Sequence, residues 1–280
     1  MRFSRQHRRF DLLTFGIVAC TMAVSTLHPR AQTQAAANAC AKGDPADRIA
    51  ACTELLNQPG VTGAARIGHL LSRAVAYDST DRFDLALGDV NAALAIDARS
   101  GLALRARAAI YHNHGRTADA LRDLNTELGA QPDDVAALRL RGTVYAETGQ
   151  MKVAVEDFSK VLDRLPSDVF ARQARGLALA ATGDHNRAIQ DFNRVLERNP
   201  RTRVARAARA YSLFITRQFS RAIGDWDLLL ADDASELSMF YCRGAAKVLS
   251  GDDSGRADME KVQQQKPDVA AAQAKACPVG

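Results

Sequence analysis

The chain has 280 residues, of which 47% are hydrophobic and 6% aromatic, and its formal net charge is +5. Residues 1–37 carry five arginines and one aspartate, which leaves a net charge of about +1 for residues 38–280. This nearly neutral remainder argues against a nucleic-acid partner, because phosphate backbones are bound mainly by excess basic charge. The many alanine and leucine residues favour close-packed helices over strands.

The N-terminus has the three-part layout of a secretory signal peptide. A basic head at 1–11 precedes an apolar run at 12–27, and small residues follow from Ala31 to Ala37. The apolar run is short for a membrane-spanning helix, and no stop-transfer pattern follows it. We therefore expect an exported, periplasmic bacterial protein from which residues 1–37 are removed as signal peptide and exit region.

Two other interpretations of this segment remain open. The residues that end at Cys20, from Ile17 on, resemble a bacterial lipobox, which would make the protein an outer-membrane lipoprotein that scaffolds an envelope assembly machine. Against this, apolar sequence continues beyond Cys20. Arg8 and Arg9 loosely resemble a twin-arginine signal, but the residues after them do not match. Any membrane contact is thus expected only through the signal or a lipid anchor.

Removal of Cys20 with the signal leaves four cysteines, an even number that suits an oxidising compartment. Three connectivities are possible. Pairing by neighbourhood joins Cys40 to Cys52 and Cys242 to Cys277, whereas buried free thiols are the alternative. The spacing of these cysteines indicates no metal or redox site.

Residues 38–66 follow the signal region and resemble half of a repeat. Arg48 to Leu56 predict a short helix that ends at Pro59 and Gly60. A stack of repeats exposes an apolar face at each end, so an atypical, disulfide-bonded cap is expected here.

Residues 135–168 are the most regular copy of a unit that recurs along the chain. Leu138, Gly142 and Tyr145 fall at i, i+4 and i+7, which predicts one face of a helix, and a second helix of the same spacing ends before Pro166. A period of 34 residues indicates a solenoid. The predicted units are 67–100, 101–134, 135–168, 169–202, 203–236 and 237–270, and a tail or cap follows at 271–280.

The pattern of Gly142, Tyr145, Ala154, Phe158 and Pro166 at this spacing resembles the tetratricopeptide repeat. The resemblance implies an all-α fold, a right-handed α-solenoid of stacked antiparallel helix pairs. It also implies that partners bind in the concave groove, which the first helix of each unit lines.

Two charged columns recur with the same period. Each arginine precedes the small residue of the first helix, and each aspartate precedes the aromatic position of the second helix. We predict arginine–carboxylate contacts between the helices of a unit or between adjacent units, because the two groups match bidentately. A basic ladder facing a ligand is the alternative. The predicted pairs are Arg73 with Asp89, Arg107 with Asp123, Arg141 with Asp157, Arg175 with Asp191, Arg209 with Asp225, and Arg243 with Asp258.

The implied groove face is basic in its N-terminal half and aromatic in its C-terminal half. This gradient suggests an extended peptide or a segment of another envelope protein, with an acidic part and an apolar part. The predicted partner-binding residues are Arg105, His112, Arg139, Phe170, Leu177, Tyr211, Phe214 and Tyr241.

Nothing in the sequence predicts catalysis, a metal or a cofactor. His112 and His114 lie at i and i+2 and point to different sides of a helix, which makes them a poor metal pair. No glycine-rich phosphate loop or nucleophile elbow is present. We expect a non-catalytic adaptor, and a regulatory repeat subunit of an enzyme complex is the alternative.

Overall fold

Fifteen α-helices joined by short turns make up the part of the chain that the computed structural model describes, residues 29–233 and 235–279. These ranges contain no β-strand. The apolar run and Cys20 lie outside them. The helices are α1 (Pro29–Lys42), α2 (Pro45–Asn57), α3 (Gly63–Asp78), α4 (Phe83–Ile96), α5 (Gly101–Asn113), α6 (Thr117–Ala130), α7 (Val135–Glu147), α8 (Met151–Arg164), α9 (Val169–Ala181), α10 (His185–Arg198), α11 (Arg203–Ile215), α12 (Phe219–Asp232), α13 (Leu237–Leu249), α14 (Gly255–Gln265) and α15 (Pro267–Ala276).

The helices stack as an α-solenoid, in which each helix packs against the one before and the one after it. The pairs from α3/α4 to α13/α14 correspond to the six predicted units. Odd-numbered helices also contact the next odd-numbered helix from α1 to α11, and α13 contacts α15. The first helices of the units therefore form one row, and from α1 to α11 their solvent-facing side chains form a continuous surface.

Small residues allow the two helices of a unit to cross closely. A Cβ atom added at Gly142 would lie 3.0 Å from the ring of Phe158, and one added at Gly176 would lie 2.8 Å from the ring of Phe192. Both rings are fully buried. The missing side chain thus makes the space that the aromatic residue fills, which explains why the two positions recur together.

The turn between the two helices of each unit requires one residue with positive φ, in the left-handed backbone conformation. Glycine supplies it in four units and costs no steric strain there, whereas units one and five use an aspartate and an arginine. The residues with positive φ in this column are Asp81, Gly115, Gly149, Gly183, Arg217 and Gly251.

The N-terminal cap differs from the predicted half-repeat, because it is a complete helical hairpin. Helix α1 begins at Pro29, inside the region expected to be the exit of the signal, and packs against α2 and α3. Cys40 and Cys52 form a disulfide across this hairpin, and both side chains are buried. The alanine-rich sequence explains the extra helix, since alanine is the best helix former.

The C-terminal cap is helix α15, which begins at Pro267, before the predicted end of the sixth unit. It packs against α13 and α14, and the disulfide between Cys242 and Cys277 joins its C-terminal end to α13. Both ends of the stack therefore carry a covalent link, which restricts the unfolded chain and protects the terminal apolar faces.

The predicted arginine and aspartate columns meet in every unit. Nε and one Nη of each arginine donate to the two carboxylate oxygens of its aspartate, at 2.7–2.8 Å. The aspartates of units one to five are buried, and Asp157 is only 1% exposed. Hydrogen bonding to Asp157 also raises the pKa of Arg141 above its ordinary value.

The remaining guanidinium nitrogen of each arginine donates a hydrogen bond to the helix that precedes its own unit. Arg141 Nη1 donates to Asn125 Oδ1 of α6 at 2.8 Å, and Arg209 Nη1 donates to Asn193 Oδ1 of α10 at 2.8 Å. In the first unit, Arg73 donates to Thr53 of the cap at 2.9 Å. Each arginine therefore joins three helices, two from its own unit and one from the preceding unit or cap.

Removing one partner of such a contact should destabilise the stack. Asp157→Ala leaves the Arg141 guanidinium half-buried without its carboxylate, so we expect a loss of about 3–5 kcal/mol in unfolding free energy, measured by urea denaturation. Asp119→Ala is the matched control, because Asp119 pairs with Arg116 and Arg122 on the surface of a single helix segment. Equal, small losses in both variants would contradict the structural role of the pair.

Candidate functional site

The outward face of the odd-numbered helices carries exposed apolar side chains in the C-terminal half of the stack. Phe170 and Leu177 on α9 are 50% and 39% exposed, and Tyr211 on α11 is 37% exposed. Val204 and Ile215 on α11 are exposed as well and were not predicted. We call these five residues the apolar patch. Phe170 aligns with Val204 and Leu177 with Tyr211 at the 34-residue period, so the two helices present matching rows.

Two residues predicted to line this face are buried instead. Phe214 is 4% exposed, because its ring packs against Phe219 and Trp226 with centroids 5.6 and 6.0 Å away. Tyr241 is 8% exposed and packs in a cluster that includes Ala270 of the capping helix α15. The prediction that both side chains line the exposed face is therefore wrong. Large neighbours and the cap draw these rings into the core.

The predicted basic half of the face carries its own countercharges. Arg105 Nη1 donates to Asp134 Oδ1 at 2.9 Å and also to Glu127. Arg139 Nη2 donates to Asp168 Oδ2 at 2.5 Å. Asp134 and Asp168 cap the N-termini of α7 and α9, so each arginine is held against the next odd-numbered helix. An acidic ligand would have to compete with these internal carboxylates, which removes the main reason for placing its acidic part here.

His112 is similarly engaged within the chain. Its Nε2 lies 3.3 Å from Oε2 of Glu147 on the next odd-numbered helix, and its side chain is 17% exposed. Among residues 29–233 and 235–279, no group of three or more His, Cys, Asp or Glu side chains lies close enough to hold a metal ion. Over the same ranges, no helix has the length and apolar character needed to cross a membrane.

Glu127 is a buried carboxylate that was not among the predicted site residues. It is 2% exposed and stands in a column filled by Val161, Val195 and Leu229 in the later units. A Cβ atom at Gly101 would lie 2.9 Å from Glu127 Oε1, so glycine at this position makes room for the carboxylate. An acidic residue at a repeat position that is otherwise apolar is the sequence feature that could have identified Glu127.

The surroundings of Glu127 disfavour its charged form. Burial raises its pKa to about 7, Arg105 opposes this shift, and the neighbouring Asp134 adds to it. Oε2 of Glu127 has no hydrogen-bond partner within the described residues. The pair of Arg105 and Glu127 therefore contributes a proton-dependent contact between α5 and α6, the two helices of the second unit.

Comparison with known proteins identifies the repeats. Residues 105–169 and 174–236 match the family model of the tetratricopeptide repeat. No curated protein sequence matches the chain.

Several solved structures share the architecture. A tetratricopeptide repeat protein from Parabacteroides merdae is 21% identical, with a TM-score of 0.57 over 88% of this chain and 97% of that one. The C-terminal part of a repeat-containing protein from Cytophaga hutchinsonii is 15% identical, with a TM-score of 0.62 over 86% and 98%. YrrB, described as a repeat protein with an unusual peptide-binding site, is 19% identical, with a TM-score of 0.57 over 66% and 93%. At these identities the likeness establishes the fold.

Stability should depend on pH through Glu127. Its pKa is higher in the folded protein than in the unfolded chain, so the folded state keeps a proton that the unfolded chain releases between about pH 4.5 and 7. This contribution is fully present below pH 4.5 and is lost as the pH rises to 7, a decrease of about 2–3 kcal/mol.

Urea denaturation at pH 5 and pH 8 measures this effect. We expect Glu127→Gln to reduce the loss of stability between the two pH values, because glutamine does not titrate. Glu156→Gln, at an exposed position of α8, is the control and should keep the wild-type profile. An unchanged profile in Glu127→Gln would show that Glu127 is ionised at both pH values.

Proposed function

The chain is a tetratricopeptide-repeat protein, and we propose on this premise that it is a non-catalytic scaffold whose apolar patch binds an extended segment of another protein. The observation that carries this proposal is the exposure of the patch. Phe170, Leu177 and Tyr211 remain 37–50% exposed and lie together with Val204 and Ile215 on two adjacent helices, whereas the exposed residues of the same columns in the N-terminal half, Val75 and Leu102, stand singly on α3 and α5. Aromatic side chains such as Phe170 and Tyr211 are enriched in protein interfaces, and rigid helices hold both of them on this surface.

The patch favours an apolar ligand segment over a charged one. Ala207 and Gln173 lie between the two ends of the rows on α11 and α9, so the rows themselves contain no charged residue. The guanidinium of Arg139 lies 5.8 Å from the Phe170 ring at the edge of the patch, where Asp168 neutralises its charge. The matching rows on two parallel helices form a shallow surface that suits an extended peptide or the face of a helix. Peptide binding is also the property for which YrrB, which shares the fold, is described.

We propose further that the protein acts outside the cytoplasm, with another envelope protein as its partner. The basic and apolar layout of residues 1–37 supports this localisation, and so do the two disulfides that close the ends of the stack. Disulfides persist in oxidising compartments and are rare in the reducing cytosol.

Affinity capture from an envelope extract tests the binding surface. We expect Leu177→Asp/Tyr211→Asp to reduce the recovery of partner proteins at least tenfold, because a carboxylate on the patch must be desolvated upon binding. Leu85→Asp/Leu228→Asp is the matched control, since both leucines are exposed on even-numbered helices. Circular dichroism would verify that both variants are folded. Equal recovery by the two variants would place the interaction elsewhere.

Fusion of residues 1–40 to an alkaline phosphatase without its own signal tests export. The enzyme becomes active only after it forms its disulfides outside the cytoplasm, so we expect activity from the wild-type fusion and none from Ile17→Lys/Val18→Lys. Labelling of the full chain with a fatty acid distinguishes a cleaved signal from a lipid anchor. Label that disappears in Cys20→Ser would contradict the soluble periplasmic form.

A further inference from the structure

A cleft rich in arginine lies on the fourth unit, between the start of α9 and the C-terminal half of α10. It consists of two adjoining cavities of about 300 and 380 Å³ that share Arg172, Arg194 and Glu197. We call it the arginine cleft. Its charged lining residues are Arg172, Arg175, Asp191, Arg194, Glu197 and Arg198.

The arginine cleft has more positive than negative charge. Asp191 already accepts two hydrogen bonds from Arg175, and Arg172 approaches the same carboxylate at 3.6 Å. Arg194 pairs with Glu197 at 3.0 Å. Four guanidinium groups therefore face two carboxylates, which leaves an excess of two positive charges. This excess contrasts with a net charge of about +1 for the whole of residues 38–280.

This combination of arginines is particular to the fourth unit. Arg172 replaces the leucine that earlier units have in the same column, such as Leu138. The fifth unit repeats the replacement with Arg206, but Leu228 and Asp232 stand there where the fourth unit has Arg194 and Arg198. The convergence is thus not a by-product of the 34-residue repeat, which would have placed it in every unit.

Arg172 is fixed in the arginine cleft by internal contacts. Its guanidinium donates to the backbone oxygen of Pro166 and lies beside Asp191, so its side chain is only 20% exposed. Arg194 and Arg198, in contrast, are exposed at the rim. Their α-carbons are one helical turn apart, and their side chains project from the same face of α10, about 6 Å from each other. A fixed inner arginine with two exposed arginines above it is suited to bind carboxylates, because guanidinium groups pair with them bidentately.

We propose that the arginine cleft binds an acidic peptide segment. Alternate residues of an extended peptide lie about 7 Å apart on the same side, which matches the spacing of Arg194 and Arg198. Two carboxylates at such positions would neutralise the excess charge of the cleft. Arg172 and Phe170 are two residues apart on α9 and so project in nearly opposite directions. The arginine cleft is therefore separate from the apolar patch, and the two surfaces can be tested independently.

Fluorescence anisotropy with labelled peptides tests this proposal. The probes are (Glu-Ser)₄, which places a carboxylate at every second residue, and (Gln-Ser)₄, which has the same length and no acidic side chain. We expect the wild-type protein to bind the acidic probe at least tenfold more tightly than the neutral one at low ionic strength. Arg194→Glu/Arg198→Glu should weaken binding of the acidic probe at least tenfold.

Arg187→Glu/Arg221→Glu is the control with the same change in net charge. Both residues are exposed on even-numbered helices outside the arginine cleft, and this variant should weaken binding less than threefold. Equal losses of affinity in the two variants would mean that binding depends only on the net charge of the protein. Equal affinity for the two peptides would mean that the cleft does not recognise carboxylates. Either result would overturn the proposal.

Two further arms distinguish other anions. Displacement of the acidic probe by 10 mM inorganic phosphate, but not by 10 mM chloride, would identify a compact oxyanion site instead and would also overturn the proposal. Vesicles of anionic phospholipid provide the other arm. Vesicle binding that is lost in Arg194→Glu/Arg198→Glu, in a protein that does not bind (Glu-Ser)₄, would assign the arginine cleft to a membrane surface. Failure of any of these tests leaves the role of the apolar patch unaffected.

Discussion

The contact between an arginine and a buried aspartate is the constraint on which the stack depends. Apolar columns alone bring helices together but tolerate small sliding and rotation, since burial is not directional. In each unit the arginine binds its aspartate bidentately at 2.7–2.8 Å. Its remaining nitrogen donates a hydrogen bond to a third helix, which belongs to the preceding unit or to the cap. The contact therefore sets the position of two helices within a unit and of that unit on its neighbour. Its net energy is small because desolvation offsets much of the attraction, so its main role is geometric.

The period of the sequence predicted much of the fold. Gly142 and Phe158 pack against each other where two helices cross closely, and Arg141 and Asp157 form a hydrogen-bonded pair. Residues at these positions recur with the 34-residue period because each unit repeats the same two contacts. The pairing of the cysteines followed from their positions near the two ends of the chain. Helix α1 was missed because it precedes the first repeat and has no periodic partner in the sequence.

The candidate site was predicted less well, because it depends on neighbours that do not repeat. Phe214 occupies a groove position, but Trp226 in place of a phenylalanine gives it an aromatic partner inside the core. Arg105 and Arg139 look like free basic residues in the sequence, because the aspartates that bind them lie 29 residues later, at the N-cap of the next odd-numbered helix. Phe170, Leu177 and Tyr211 lie on the predicted face and are exposed there, since no larger neighbour covers them in the described structure.

The two proposed binding surfaces lie on different helix faces. The apolar patch lies on the row of odd-numbered helices, and the arginine cleft opens beside α10, on the other side of α9. A partner with an apolar segment and an acidic segment could engage both surfaces, and the avidity would then depend on the length of the linker between its two segments. The rigid stack fixes the distance between the two surfaces, since every unit is held to the next by its arginine.

Photo-crosslinking in cells shows whether a partner protein contacts the apolar patch. A photoreactive phenylalanine analogue placed at Tyr211 reports contacts of the apolar patch, and the same analogue at Leu228 reports contacts of the opposite, even-numbered row. Binding of a protein segment to the patch predicts a discrete crosslinked product from position 211 and none from position 228. A product from position 228 alone, or the same product from both positions, would contradict the assignment of the patch as the binding surface.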